Sequence, residues 1–345
     1  MRSVAIVTGP DTYLDHLGVL SAIMEMPLLI TDPTTHEIAK TFYPQAHAIL
    51  IDPIDLTLEF LADHYDVIFE SGKFWAAEMA PILKLLGKEI RFVYCPHGNS
   101  DKGHSLKTHI GQDIALYYGD HMLDLLKRMG AFESIKTLIR TGNYRLPFYR
   151  KHRAFYDKLF DERVGRFMQN DKKILLYAPT WQDGENPSSF FSHCAQVIEE
   201  LSDTFNVIVK LHPFLEEHHP AHTYRIISQY EKSNVLFLTQ FPAIYALLAH
   251  TDIYLGDYSS IGYDFLAFDR PLYFLTPQEQ TSFPLHRCGV RVQDHLKKVI
   301  CETLNDNQQK LSAVRKEVYT YAFGAETKMK NLAFSEVFEK QNLSS

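Results

Sequence analysis

Apolar and polar positions alternate along the chain in short blocks that predict strands and helices in turn. In the first half, runs rich in strand formers end in polar turn residues: SVAIVTG, PLLIT, AHAILI, YDVIFESG, IRFVYCPHG and TLIRTG. Segments such as FWAAEMAPILKLLG and HMLDLLKRMG have helical spacing and stop at Gly87 and Gly130. Strands that alternate with helices in this way are typical of a parallel sheet.

The pattern changes after residue 150. A long, charged, amphipathic segment predicts a linker helix over 151–172, and the alternation then restarts with KILLYAPTW, FNVIVKLHP, NVLFLT, TDIYLGDYSS and RPLYFLT. We therefore expect an α/β protein with two domains, 1–150 and 173–325, and a terminal helix at 326–345 that packs back on the first domain. Two such domains predict a cleft between the loops that follow their strands.

Composition narrows the possible partners. The chain has 345 residues, 35 basic and 42 acidic side chains and a formal charge of −7. This balance argues against broad nucleic-acid binding, which needs a basic surface. No apolar run is long enough to span a bilayer, and four widely spaced cysteines fit reduced thiols rather than a zinc site. We expect a cytoplasmic protein without a metal or another cofactor.

One strand ends abruptly in the polar sequence Asp257-Tyr258-Ser259-Ser260 and is followed by apolar residues at helical spacing. Ser259 or Ser260 is a natural first cap of that helix, and free N–H groups at a helix start attract anions. The modest alternative is that these hydroxyls only cap the helix. Polar residues at three other strand ends favour a functional interpretation.

The first of these strand ends carries His97, which lies between Pro96 and Gly98 and therefore on a tight turn. A histidine in such a loop can act as a general base, because its pKa lies near the working pH. Lys102 and His104 follow closely. A structural histidine that hydrogen-bonds to the backbone is the alternative interpretation.

The other two strand ends belong to the second domain. Lys210 and His212 alternate with apolar residues and so point to one face, where a cation beside an imidazole suits a diphosphate. Thr180, next to Trp181, can hold a phosphate or a ribose, although a capping threonine beside a packed tryptophan explains the same sequence.

Taken in order, these motifs resemble the CDP-glycerol glycerophosphotransferase family, the teichoic acid primases and polymerases. The resemblance rests on His97-Gly98 with Lys102, on Tyr177 to Trp181, on Lys210 with His212-Pro213, and on Asp257 to Ser260 with Asp264. It implies a GT-B fold, with two Rossmann-like domains whose parallel sheets face the cleft. It also implies transfer of glycerol phosphate, or a related polyol phosphate, from CDP-glycerol or another CDP-polyol to a hydroxyl of a cell-envelope or surface-polysaccharide acceptor, with release of CMP.

The resemblance also assigns roles to the residues. His97 matches the catalytic base and His212 the histidine that steadies the diphosphate. The side chains expected at the donor are Lys210, Thr180, Asp257, Ser259, Ser260 and Asp264, and those expected at the acceptor are Lys102 and His104.

The loop after His97 departs from the family pattern. Polymerases of the family usually read His-Gly-Thr-Pro-Leu-Lys, whereas this chain reads His-Gly-Asn-Ser-Asp-Lys over residues 97–102. The departure leaves the acceptor open, whether a glycan or a lipid-linked polymer. A peripheral contact with the inner face of the plasma membrane is also left open, although the acidic balance weakens electrostatic attachment to anionic lipid.

Two other functions fit the same loops. A GT-B glycosyltransferase or epimerase would hold the diphosphate of a nucleotide sugar with similar residues. A catalytically silent α/β protein would bind a nucleotide or a partner without turnover. The sequence does not identify the donor polyol, the metal requirement or the oligomeric state.

Overall fold

The fold is described from a computed structural model of the chain. It describes residues 2–72, 74–101, 112–169, 171–182, 188–231, 234–276 and 283–325.

Within the described residues, seven parallel strands from the first part of the chain form one sheet in the order β3-β2-β1-β4-β5-β6-β7. They are β1 Ser3–Val7, β2 Pro27–Ile30, β3 His47–Leu50, β4 Val67–Glu70, β5 Arg91–Tyr94, β6 Ile114–Tyr117 and β7 Thr137–Arg140. The direction of strand succession reverses between β1 and β4, and the crevice at such a reversal is where open α/β sheets bind ligands.

In the described part of the second half, six strands form another parallel sheet in the order β10-β9-β8-β11-β12-β13. They are β8 Ile174–Ala178, β9 Asn206–Lys210, β10 Val235–Leu238, β11 Ile253–Gly256, β12 Leu272–Phe274 and β13 Val290–Arg291. Here the order reverses between β8 and β11. The expected α/β architecture with two parallel sheets is confirmed. The short strands β6 and β13 were not predicted from the sequence.

Helices cover both faces of the sheets, which explains why the central strands are apolar at nearly every position. The helices are α1 Val19–Met24, α2 Pro33–Phe42, α3 Leu58–His64, α4 Phe74–Leu86, α5 Asp120–Arg128, α6 Arg145–Lys151, α7 Arg153–Arg163, α8 Phe190–Leu201, α9 Pro213–His218, α10 Pro220–Tyr230, α11 Ile244–His250, α12 Ile261–Phe265, α13 Leu296–Lys310 and α14 Ser312–Phe323. A π-helical turn, Leu14–Gly18, precedes α1.

One apolar cluster is shared between the two sheets, and each sheet has a further cluster on its outer face. In the shared cluster, the rings of Phe42 and Phe241 meet edge to face with centroids 5.1 Å apart. Buried apolar contact of this kind holds the two sheets together beneath the cleft.

The segment expected as one linker helix is divided into parts. Helix α6 ends before His152, α7 continues to Arg163, and a 3₁₀ turn follows at Gly165–Phe167. The division of the chain at residues 150 and 172 remains a prediction.

Helix α14 returns to the first sheet, where the Tyr321 hydroxyl donates to Asp124 at 2.8 Å. The helix predicted for 326–345 lies outside the described residues. Across the described ranges, no helix is long and apolar enough to cross a bilayer.

Candidate active site

A cleft of about 190 Å³ lies where the carboxyl ends of the two sheets face each other. Its walls include loops from both reversal points, after β1 in the first sheet and after β8 and β11 in the second. The residues that line it are Thr12, Asp15, His16, His97, Gly98, Ser100, Arg145, Pro179, Thr180, Trp181, Lys210, Leu211, His212, Pro213, Phe241, Pro242, Ile244, Tyr258, Ser259, Ser260, Ile261 and Asp264. Seven of the ten residues proposed from the sequence therefore line this one cleft: His97, His212, Lys210, Thr180, Ser259, Ser260 and Asp264.

His97 follows β5 and exposes its ring to the cleft. The ring lies against Tyr13, with centroids 4.9 Å apart. Protein surrounds the cleft on both sides and keeps water away from the ring. Because this desolvation disfavours the charged imidazolium, the pKa of His97 lies below its ordinary value. The imidazole is therefore neutral near pH 7 and has a lone pair available for a proton.

The loop after His97 contacts His121, whose side chain is fully buried and holds the loop in place. Nδ1 of His121 lies 3.0 Å from Oδ1 of Asn99, and Nε2 lies 2.9 Å from Oδ1 of Asp101. The Asn99 amide donates to the Ala322 carbonyl at 3.2 Å, and the Tyr263 hydroxyl donates to Asp101 at 2.8 Å. The residues that depart from the family pattern thus anchor the loop to α5, α12 and α14.

Lys210 ends β9 and is almost completely buried. Its ammonium donates to the Leu211 carbonyl at 3.1 Å, and burial lowers its pKa below the ordinary value. His212 caps α9, with Nδ1 accepting from the Phe214 N–H at 3.2 Å. A neutral His212 ring with Nδ1 as acceptor carries its proton on Nε2 and can donate it to an anion.

Asp257 follows β11 and is only 1% exposed. Its carboxylate accepts from the backbone N–H of Thr180 at 2.9 Å and from the N–H and hydroxyl of Ser189 at 3.0 and 2.7 Å. It also accepts from the Tyr258 N–H at 2.6 Å. This carboxylate therefore joins the loops after β8 and β11 and sets the position of Thr180.

Ser260 is the first residue before α12, in the position expected for a cap, but its hydroxyl makes no capping hydrogen bond. Ser259 Oγ accepts a long hydrogen bond of 3.4 Å from the Ile261 N–H. A Cβ added to Gly98 would lie 2.8 Å from Ser260 Oγ, so the His97 loop touches the start of α12 directly.

Asp264 belongs to a buried ion cluster that the sequence analysis missed. Arg145 donates from its two terminal nitrogens to Asp15 and to Asp264, each at 2.6 Å. Tyr43 donates to Asp15 and Tyr245 to Asp264, both at 2.9 Å. The cluster spans both sheets and forms the base of the cleft. The Asp264 carboxylate is thus already engaged by protein partners.

Two residues proposed for the acceptor side, Lys102 and His104, lie outside the described residues. In the described part of the chain, no group of three or more His, Cys, Asp and Glu side chains is close enough to hold a metal ion. The expected absence of a metal requirement remains a prediction.

Residues 83–336 match the family model for CDP-glycerol:poly(glycerophosphate) glycerophosphotransferase. The chain belongs to this family. It is 26% identical over 212 residues to the teichoic acid poly(glycerol phosphate) polymerase of Bacillus subtilis, a match that covers 58% of this chain and 26% of that protein. It is 30% identical over 132 residues to the teichoic acid glycerol-phosphate primase of the same species, over 38% of this chain and 30% of the primase. The matches thus cover less than a third of each of these relatives.

Solved structures agree with the fold. A wall teichoic acid polymerase structure superposes with a TM-score of 0.65 over 100% of this chain and 90% of that chain, at 13% sequence identity. A UDP-GlcNAc 2-epimerase from Neisseria meningitidis has a TM-score of 0.53 over 99% of both chains, again at 13% identity. At such low identity, these likenesses establish the two-domain GT-B fold and nothing about chemistry.

In this family member, the cleft combines two kinds of chemical group. The first sheet contributes a neutral imidazole, His97, that can accept a proton. The second sheet contributes a buried ammonium from Lys210, a donor from His212, and the hydroxyl of Ser260, which makes no capping hydrogen bond. A proton acceptor that faces a set of anion-binding donors suits the transfer of a phosphorylated group to a hydroxyl.

Proposed function

We propose that the chain transfers glycerol phosphate, or a related polyol phosphate, from a CDP-linked donor to a hydroxyl of a cell-envelope or surface-polysaccharide acceptor. Family membership supports this activity, and the observation that carries it is the contact between the His97 loop and the start of α12. Gly98 lies against Ser260 there, so the proposed base and the proposed anion site meet within one cleft.

In the proposed reaction, the acceptor oxygen attacks the β-phosphorus of the donor. A new P–O bond forms, the bond from that phosphorus to the bridging oxygen breaks, and CMP leaves with the bond's electron pair. His97 takes the proton of the attacking hydroxyl. Phosphoryl transfer depends mainly on alignment and charge stabilisation, so the protein needs little covalent chemistry of its own.

The second sheet supplies the stabilisation of the diphosphate in this proposal. Lys210 contributes a positive charge, His212 donates from Nε2, and Ser259 and Ser260 offer hydroxyls beside the N–H groups of α12. Asp257 acts indirectly, because its carboxylate holds the Thr180 N–H and therefore the loop after β8. Entry of the anionic diphosphate raises the proton affinity of His97, so the base becomes stronger when the donor is bound.

Binding and turnover test the proposal together. Calorimetric titration with CDP-glycerol, CDP-ribitol, CMP, UDP-sugars and GDP-sugars identifies the donor. Chromatography then follows CMP release with and without a short glycerol phosphate oligomer. We expect selective binding of a CDP-polyol and CMP release that depends on the oligomer. Selective binding of a nucleotide sugar would instead support a glycosyltransferase or epimerase, and nucleotide binding without turnover would support a silent binding protein.

Two variants test the proposed division of roles. His97→Asn should bind the donor with unchanged affinity and lose turnover. Ser259→Ala combined with Ser260→Ala should weaken donor binding, because two hydroxyls leave the proposed diphosphate site. Unchanged donor affinity and turnover in the double variant would show that these serines do not contact the donor.

We also propose that a glycan or lipid-linked acceptor brings the protein to the inner face of the plasma membrane. Leu85 and Leu86 at the end of α4 are 82% and 42% exposed and stand beside exposed Lys84 and Lys88. Apolar side chains flanked by lysines suit an anionic lipid surface. Sedimentation with anionic vesicles tests this contact, which Leu85→Ser with Leu86→Ser should weaken.

A further inference from the structure

His16 places a second imidazole in the cleft, in a segment whose sequence looks like an ordinary amphipathic helix. It lies in the π-helical turn Leu14–Gly18, which follows β1 after the 3₁₀ turn Asp11–Tyr13, at the point where the order of the first sheet reverses. Single π-turns occur frequently at functional sites, and ligands of open α/β sheets bind at such reversals. His16 is 4% exposed and lines the cleft together with His97.

Tyr118 determines which nitrogen of His16 carries the proton. The Tyr118 hydroxyl lies 2.7 Å from the Pro96 carbonyl and 2.7 Å from Nδ1 of His16. A carbonyl oxygen can only accept, so the single hydroxyl hydrogen goes to Pro96. The hydroxyl oxygen must then accept from His16, which puts the proton on Nδ1. Nε2 of a neutral His16 therefore keeps its lone pair.

The charge state of His16 follows from its surroundings. Burial, then the Arg145 guanidinium and His97, hold the pKa of His16 well below its ordinary value. The ring is neutral near pH 7. Among the described residues, no hydrogen bond reaches Nε2 of this ring, although the histidine lines the cleft.

Tyr118 also couples the two imidazoles. It holds Nδ1 of His16 on one side and the carbonyl of Pro96, the residue before His97, on the other. The tyrosine is 1% exposed, so this link is shielded from water. The cleft consequently presents two neutral imidazoles, and the tautomer of one of them is fixed by the fold.

We propose that Nε2 of His16 accepts a hydrogen bond from a second hydroxyl of the acceptor, next to the hydroxyl that His97 deprotonates. This inference rests on the proposed transfer and specifies its acceptor as a polyol with adjacent hydroxyls. Each neutral imidazole has one lone pair and can receive one hydroxyl. An acceptor without the second hydroxyl leaves a largely buried nitrogen without a partner, which disfavours its binding.

Kinetics with matched acceptors test the assignment. One acceptor ends in a glycerol phosphate unit with adjacent hydroxyls, and the other has a hydrogen in place of the second hydroxyl. His16→Asn offers an amide near Nδ1, which can keep the bond to Tyr118, but has no atom near Nε2. We expect kcat/KM for the diol to fall about tenfold and kcat/KM for the mono-ol to stay the same. His47→Asn, on the outer strand β3, is the control and should change neither value.

Equal losses with both acceptors, or no loss with either, would overturn the assignment. A wild-type protein without any transfer would contradict the proposed function instead. In that case ¹⁵N NMR of the intact chain still tests His16, with its signals assigned by comparison with His16→Asn. We expect a protonated Nδ1 and a bare Nε2 that responds to glycerol 3-phosphate and not to propyl phosphate. A protonated Nε2, or the same response to both compounds, would refute the inference.

Discussion

Gly98 packs against Ser260 so closely that a side chain at position 98 would have to displace the serine. A Cβ built on Gly98 would lie 2.8 Å from Oγ and 3.0 Å from Cβ of Ser260. Gly98 also has a φ of +147°, a conformation that residues with a side chain rarely adopt. The glycine therefore allows the loop of the first sheet to meet the start of α12 in the second.

Replacing Gly98 by alanine should separate these two elements. A displacement of about 1 Å at the reacting groups can cost on the order of a hundredfold in turnover, and we expect a loss of that size. Gly130→Ala is the control, because Gly130 also has a positive φ, +66°, but no neighbour within 4 Å of an added Cβ. It should lose about 1 kcal/mol of stability and keep its turnover. CMP release and thermal unfolding measure the two effects.

The His121 anchor leads to a second prediction. His121→Leu removes one hydrogen-bond partner from Asn99 and one from Asp101, so the His97 loop should be held less firmly. We expect kcat to fall on the order of tenfold to a hundredfold while the donor dissociation constant stays the same. Turnover assays and donor titration separate these quantities. A loss of donor affinity equal to the loss of turnover would point to general unfolding of the site.

A second histidine–aspartate pair provides the control. His250 lies 3.0 Å from Asp157 and stacks on Phe160, with ring centroids 4.1 Å apart. Neither His250 nor Asp157 lines the cleft. His250→Leu should lower the melting temperature without lowering turnover.

The Arg145 cluster predicts a large effect on stability. Arg145→Met leaves the carboxylates of Asp15 and Asp264 buried without their cation, and breaking a buried ion pair costs about 3–5 kcal/mol. Arg287 pairs with Glu317 at 3.3 Å, but both side chains are more than half exposed. Arg287→Met should therefore cost at most about 1 kcal/mol. Urea unfolding of both variants measures the difference, and similar costs would contradict the role assigned to the cluster.

The sequence predicted those parts of the site that depend on local pattern. A polar residue directly after a short apolar run lies at the carboxyl end of a strand, and parallel strands bring these ends together. That reasoning was sufficient for His97, His212 and Ser260, which all line the cleft. It did not reveal that Asp257 binds the neighbouring loop, because Ser189 lies 68 residues away.

Residues that act through distant partners could not be predicted from one sequence. Arg145 stands in an unremarkable helical segment, and its two carboxylates are 130 and 119 residues away. His16 stands in a segment with helical periodicity, where its sequence position is that of an ordinary helical residue. Only the π-turn and the contact with Tyr118, 102 residues away, distinguish it. Local periodicity contains no information about such pairings.

Glu70, at the carboxyl end of β4, leads to the last prediction, a dependence of stability on pH. The side chain is 2% exposed and accepts from the Trp75 N–H at 3.2 Å. Burial raises its pKa to about 7, whereas the unfolded chain releases this proton near the ordinary value of 4.5. Below that value both states are protonated. Between it and pH 7, only the unfolded state loses the proton, so the free energy of unfolding falls as pH rises, by up to about 3 kcal/mol.

Glu70→Gln keeps an oxygen for the Trp75 N–H and cannot ionise. The variant should match the wild-type stability near pH 4.5 and exceed it increasingly up to about pH 7, with a constant advantage above that pH. Urea unfolding at several pH values measures the free energy of unfolding of the variant and of the wild type. The contributions of other titrating groups cancel in the difference between the two. Glu59→Gln, at an exposed position in α3, should stay within about 0.5 kcal/mol of the wild type throughout. An advantage of Glu70→Gln that does not change between pH 5 and pH 8 would show that the buried carboxyl is ionised in the folded protein across this range.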